Sequence, residues 1–313
     1  MSHNNHITDG INKDLTEYTR DWYLKQTEGW QDPYGMPEVV QHEGFNVVRD
    51  DKIVGSKARF GDYMMSQVKE DTIVYVQPRK GLAGVSILEA ANRYGKKVVL
   101  FMPSSKKVSD HQAVCIERGA VPKFRRIAAM PNLNKMAKEY AEQTGGFFVP
   151  LGLYHPLVVA GVVRVADTIA QEYGEPEEVW CAISTGVLSR GLQIGWPNAK
   201  FYSVAVSRNL KEGELGRSDV ISDPLPFLRN EKEKWWPPFP TVYNYDAKVW
   251  KYMKHKGTKS VGGNTGAWMW NVGMEPPLLN ESIYDVDSQR AVSYTHLRAH
   301  ETKANLVCRL LLE

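Results

Sequence analysis

Lys57 stands where covalent chemistry is possible. It follows a Gly-Ser pair and opens a predicted helix in VGSKARFGDY, residues 54–63. A lysine amine becomes a nucleophile when removal from water lowers its pKa, and an aldehyde is then its usual electrophile. A lone lysine at a helix start more often sits on a solvated surface, so this segment alone leaves both roles open. Two further segments share its position between a predicted strand and a predicted helix. In QPRKGLAGVS, residues 77–86, Gly81 and Gly84 let backbone approach a ligand closely, and Arg79 and Lys80 can meet an anion beside a helix N-terminus. In STGVLSRG, residues 184–191, the run Ser184, Thr185, Gly186, Val187, Leu188 and Ser189 brings amides and hydroxyls to a helix start, a setting that suits phosphate. It lacks the lysine of a P-loop and is not a dinucleotide GxGxxG. For both segments a strand–helix turn with packing glycines is the plain alternative.

These loops need strands before them and helices after them. TIVYV at 72–76, KKVVLFMP ending at Pro103 and EVWCAI before Ser184 predict buried strands. ARFGDYMMSQVKE, LAGVSILEAANRYG and PLVVAGVVRVADTIAQEYG predict helices, and Asn132 is the expected cap of another running to about 143. FNVVRD and KIVG predict two short strands around an Asp-Asp turn at 50–51. DAKVWKYMKHKG predicts a helix and GAWMWNVG a late strand. The alternation implies an α/β fold with parallel pairing and crossover helices. In such open sheets ligands bind beyond the carboxyl ends of the strands, where the loops after strands fall. EKEKWWPPFPTVYNY, residues 231–245, predicts no regular element. It leaves open a rigid lid, a subunit contact or a loop packed by its own aromatics.

With 313 residues the chain can form one large unit or two lobes sharing a cleft. A formal charge of +3, with basic residues spread rather than striped, argues against nucleic acid. Apolar runs such as Val98–Met102 fall far short of a membrane span, and MSHNNHITDG has no signal-peptide core. Cys115, Cys181 and Cys308 make neither a metal spacing nor a disulfide framework. The expectation is no metal, no membrane and a reducing, cytoplasmic setting.

Together the loops resemble the fold-type-II pyridoxal-phosphate enzymes, which include tryptophan synthase β, cysteine synthase, threonine dehydratase and aminocyclopropane-carboxylate deaminase. VGSKARFGDYM is similar to the lysine motif of the deaminase and D-cysteine desulfhydrase branch. QPRKGLAGVSILEAANRYGKKVVLFMP sits where the family has a Ser-Asn-His/Thr-Gly loop, helix and strand. CIERGA, YHPLVVAGVVRVADTIAQEYG and VWCAISTGVLSRGLQ follow in the family's order, so the resemblance spans about residues 44–206. It implies two lobes with mostly parallel open sheets, tryptophan synthase β-like. It also implies a lyase, deaminase or transferase that handles an amino acid or amine through a Schiff base on Lys57.

The resemblance assigns the cofactor phosphate to residues 184–189 and the pyridine nitrogen to Ser260 or Thr265 in KSVGGNTG. Ser56, Arg79, Lys80 and Gly81 would face the substrate. Relatives often pair as dimers, so a homodimer is one assembly it implies. Two departures stand out: Arg79 and Lys80 replace the ring-contacting Asn, and the phosphate loop has one glycine where relatives have several. The cationic loop points to a more acidic or phosphorylated substrate, or to a relative that has lost the standard reaction. A non-catalytic relative and a phosphoribosyltransferase-like protein binding a sugar phosphate or nucleotide are the alternatives. The expected layout is an N-terminal extension over 1–43 and a catalytic domain over 44–290, with a smaller lobe at about 60–150 inserted in the larger. The tail over 291–313 closely resembles the translation of a transposase-type sequencing-library adapter and is left out of the fold reasoning.

Overall fold

The computed structural model describes residues 18–126, 129–207, 210, 212–276, 282–285 and 290–293. Most of the adapter-like tail, residues 294–313, and the first 17 residues of the expected extension lie outside the described residues. The remainder of that extension is built into the fold. Helix α1 (Arg20–Gln26) is capped by Thr19, whose hydroxyl accepts the Trp22 amide at 3.2 Å, and it buries Tyr23 completely. Strands β1 (Val39–His42) and β2 (Phe45–Arg49) then form an antiparallel hairpin.

A 3-10 turn over Asp50–Lys52 leads to helix α2 (Ser56–Gln67). KIVG is therefore a turn and its exit, where alternation predicted a strand. Inward hydrogen bonds explain the difference. Asp51 accepts from Arg49 Nε at 2.7 Å and from Asn271 Nδ2 at 2.8 Å, and Asp50 accepts from Trp270 Nε1 at 3.0 Å. Both carboxylates are buried, and satisfying them on one side curls the backbone.

The smaller lobe runs through β3 (Thr72–Val76), α3 (Ala83–Arg93), β4 (Lys97–Pro103), α4 (Asp110–Glu117), β5 (Val121–Arg125), α5 (Met130–Thr144) and β6 (Phe147–Phe148). Its parallel sheet has the order β5-β4-β3-β6. Helix α5 begins two residues before Asn132, with Pro131 in its first turn, where a missing amide costs nothing, and ends on Gly145 at φ 68°.

The larger lobe continues through α6 (Pro156–Tyr173), β7 (Glu178–Ile183), α7 (Val187–Gly195), β8 (Lys200–Ala205), β9 (Asp219–Ser222), α8 (Asp246–Lys256) and β10 (Ala267–Asn271). Its sheet has the order β1-β2-β10-β7-β8-β9, parallel except for the β1–β2 hairpin. The short edge strand β9 was not expected from its sequence. Helix α6 buries a valine-rich face against α2 and α7. Small residues permit the close approach: a Cβ on Gly161 would lie 3.0 Å from the Phe60 carbonyl oxygen, and one on Gly191 only 2.6 Å from Val162. In the 231–245 segment Trp236 stacks on Tyr243 with ring centroids 3.8 Å apart, so this loop is packed by its own aromatics. Ser282–Asp285 and Arg290–Ser293 pair as a separate antiparallel hairpin. Among the described residues no helix is long and apolar enough to cross a membrane.

Candidate functional site

Lys57 is held by the end of the last central strand. Gly55, at φ 116°, turns the chain into α2, and a side chain there would press on Ser86 and on the Val272 carbonyl, each 3.2 Å from its Cβ. The Ser56 amide donates to that same carbonyl at 2.9 Å, and the Ser56 hydroxyl accepts from Trp270 Nε1 at 3.0 Å. These bonds fix the first turn of α2 against the carboxyl end of β10, and Lys57 projects into a cavity between the lobes.

The opposite wall is the turn from β7 into α7. Gly186 takes the left-handed conformation at φ 81°, and a Cβ there would meet the Glu214 carbonyl oxygen at 2.4 Å. The first bond of α7 runs from the Arg190 amide to the Gly186 carbonyl. The amides of Val187, Leu188 and Ser189 therefore have no acceptor within the helix. They carry the positive end of its dipole, which favours an anion. Ser56, Lys57 and all of residues 184–189 line one small cavity of about 30 Å³. A larger cavity of about 390 Å³ shares Lys57, Gly152, Ser184, Thr185, Tyr245 and Val272 with it. The Ser184 hydroxyl accepts from Ser207 at 2.8 Å, while that of Ser189 is engaged by Ser203 and Gln193, leaving its amide for a ligand.

The electrostatics favour a neutral amine. Desolvation lowers the pKa of Lys57, opposed by the carboxylate of Asp246. Asp246 opens α8 and is fully buried. Its Oδ2 accepts the Val272 amide at 2.9 Å, and its Oδ1 has no hydrogen-bond partner. Burial raises this carboxyl well above the usual range, against the pull of the Val272 amide and Lys57. Tyr245 beside it is also raised by burial. Neither buried cysteine is a nucleophile at neutral pH, since burial pushes Cys115 up to about 12 and Cys181 up to about 11.

The sequence-predicted residues divide cleanly. Lys57, Ser56 and residues 184–189 come together, and Lys80 and Gly81 line the larger cavity. Arg79 is exposed and outside both walls. Ser260 and Thr265 are not brought to these walls: they bond to each other at 3.2 Å in a turn before the amino end of β10, opposite the end that meets Lys57. Sequence reasoning missed Gly152, Tyr245, Asp246 and Val272. Val272 lies at the carboxyl end of the predicted strand GAWMWNVG, a signal that could have found it. Gly152 admits the Thr185 side chain, which would lie 2.2 Å from a Cβ there. Tyr245 and Asp246 read only as an ordinary helix start.

The fold is shared with several solved enzymes. An ACC deaminase homologue matches with a TM-score of 0.65 at 15% identity, over 80% of this chain and 94% of that one. Threonine deaminase isoform 2 from Solanum lycopersicum matches at 0.63 and 14% identity, over 83% and 85%. Maize serine racemase matches at 0.61 and 13% identity, over 90% and 98%. No curated protein matches the chain by sequence. Residues 31–220 match the family described as pyridoxal-phosphate dependent enzyme. By that match over more than half its length, and by a two-lobed fold that agrees with it, the chain belongs to the pyridoxal-phosphate dependent enzymes.

Proposed function

We propose that the protein is a lyase, deaminase or transferase acting on an amino acid or amine, with Lys57 as the residue that carries the cofactor. One observation supports this above the others: a desolvated lysine amine and the free amides at the start of α7 wall the same cavity. The residues present fit the cofactor. The amides of residues 187–189 with the Thr185 hydroxyl suit its phosphate, and Lys57 suits its aldehyde. Bound there, the cofactor supplies the electron sink that lets a bond at the α-carbon of the substrate break. Lys57 Nζ then serves to take or return the proton at that carbon. The backbone around Gly81, before the start of α3, is placed to orient the substrate carboxylate. Family membership sets aside the phosphoribosyltransferase-like alternative.

Borohydride reduction of the protein with added pyridoxal phosphate, followed by peptide mapping, tests the assignment. The tag is expected on Lys57 and is expected to vanish in Lys57→Met. A tag on another lysine, or none, rejects it.

A further inference from the structure

The two cavities share one end, where Lys57, Ser184, Thr185 and Tyr245 lie. Beyond it the larger cavity has a wall of another character. Tyr75, Leu82, Met130, Leu151, Phe227 and Val242 supply it, from both lobes. Part of the cavity's roughly 390 Å³ is the space the cofactor itself takes beside Lys57, so the character of the remaining wall bears on the substrate more than the volume does. Its one cation among the lining residues, besides Lys57, is Lys80, whose Nζ donates to the neutral side chain of Asn230 at 2.8 Å. A carboxylate makes a stronger, charge-assisted partner than that amide. Arg79, the second cation of the loop, is outside the wall.

Glu275 adds a negative charge nearby. Burial works to raise its carboxyl, but the His111 contact at 3.3 Å, and Lys80 at longer range, hold it below the usual range. A second substrate anion would meet this charge without a cation of its own. One carboxylate therefore has a partner, and the side chain that accompanies it meets a mostly apolar wall in which Asn244 and Ser207 are the polar exceptions.

Resting on the cofactor reading above, we infer that the site takes a monocarboxylic amino acid with a bulky apolar side chain, Lys80 receiving the carboxylate and Leu151, Met130 and Phe227 the side chain. This replaces the acidic or phosphorylated substrate that the Arg79–Lys80 pair suggested by sequence. The test is a calorimetric binding panel on cofactor-loaded protein with leucine, phenylalanine, serine, aspartate and phosphoserine, each as both enantiomers. Leucine or phenylalanine is expected to bind at least about tenfold more tightly than the other three, since one buried methylene already discriminates by that much. Phe227→Ala should shrink the preference while leaving serine affinity in place, and Lys80→Met should weaken every ligand together. Binding of serine, aspartate or phosphoserine as tight as that of leucine, or no binding of leucine and phenylalanine at all, overturns the inference. Borohydride tagging of Lys57 on the same sample keeps the two readings apart. A tagged protein with the wrong preference loses only the substrate class, whereas an untagged one loses the cofactor assignment first.

Discussion

Keeping the Lys57 amine out of water primes it as a nucleophile and costs stability. Its ordinary value is 10.5, and the folded state lowers it. Above 10.5 the amine is neutral in both states and nothing is lost. As pH falls from 10.5 toward the lowered folded value, the unfolded chain takes the proton first, and stability declines through that window. Lys57→Met should therefore make the cofactor-free protein more stable at neutral pH, with the gain fading as pH approaches 10.5. Each kcal/mol relieved is worth about 2–4 °C in melting temperature for a chain of this class. Thermal melts of both proteins at several pH values decide it; a variant less stable at neutral pH would mean that the amine is not desolvated. At this scale Lys57 and residues 184–189 were legible because each lies in a short glycine-bearing segment after a strand. Asp246 was not, since it acts on Lys57, a residue 189 positions earlier, which no local pattern reports. Ser260 and Thr265 drew attention because hydroxyls beside glycines look alike at either end of a strand, and theirs is the amino end.

Among elements, the contact between α6 and α7 aims the free amides proposed to hold the phosphate. Gly191 lies inside α7, where alanine would normally be preferred by about 1 kcal/mol. Here the added methyl would sit 2.6 Å from Val162, whose branched side chain has little freedom to yield. Overpacking of this kind costs about 1–3 kcal/mol, so the steric effect outweighs the propensity gain. Gly191→Ala is expected to lower the denaturant midpoint, and to weaken cofactor binding through displacement of α7. A variant as stable as the parent would show that the two helices can separate freely. The helices were readable from apolar periodicity, and β3, β4 and β7 from β-branched runs. The turn at 50–52 and the edge strand β9 were not, because tertiary hydrogen bonds shape the first and pairing with β8 makes the second.

For the molecule as a whole, the larger cavity is lined from both lobes, by Tyr75, Lys80 and Met130 from one and by Ser184, Thr185 and Tyr245 from the other, so a ligand filling it couples their unfolding. Pyridoxal phosphate at a hundred times its Kd should add about 2.7 kcal/mol to stability and merge any separate melting steps of the lobes into one. Differential scanning calorimetry with and without cofactor measures this. Two transitions that persist unchanged at saturation would place the binding site within a single lobe. The two-lobed plan itself was legible from the order of the loops, whereas the pairing of β10 between β2 and β7 was not, since sequence order says nothing of which strands become neighbours.

That pairing governs how the polypeptide matures. β10 is the only link between β2 and β7 in the larger sheet, yet more than two hundred residues separate it from β2. On the ribosome, the contiguous segment from β3 to β6 is free to collapse early, while β2 and β7 wait with unpaired edges. A chain stalled before Ala267 would expose both edges and lack the carbonyl that anchors Ser56. Translation must therefore pass the last central strand before the amine and the anion cradle can face each other.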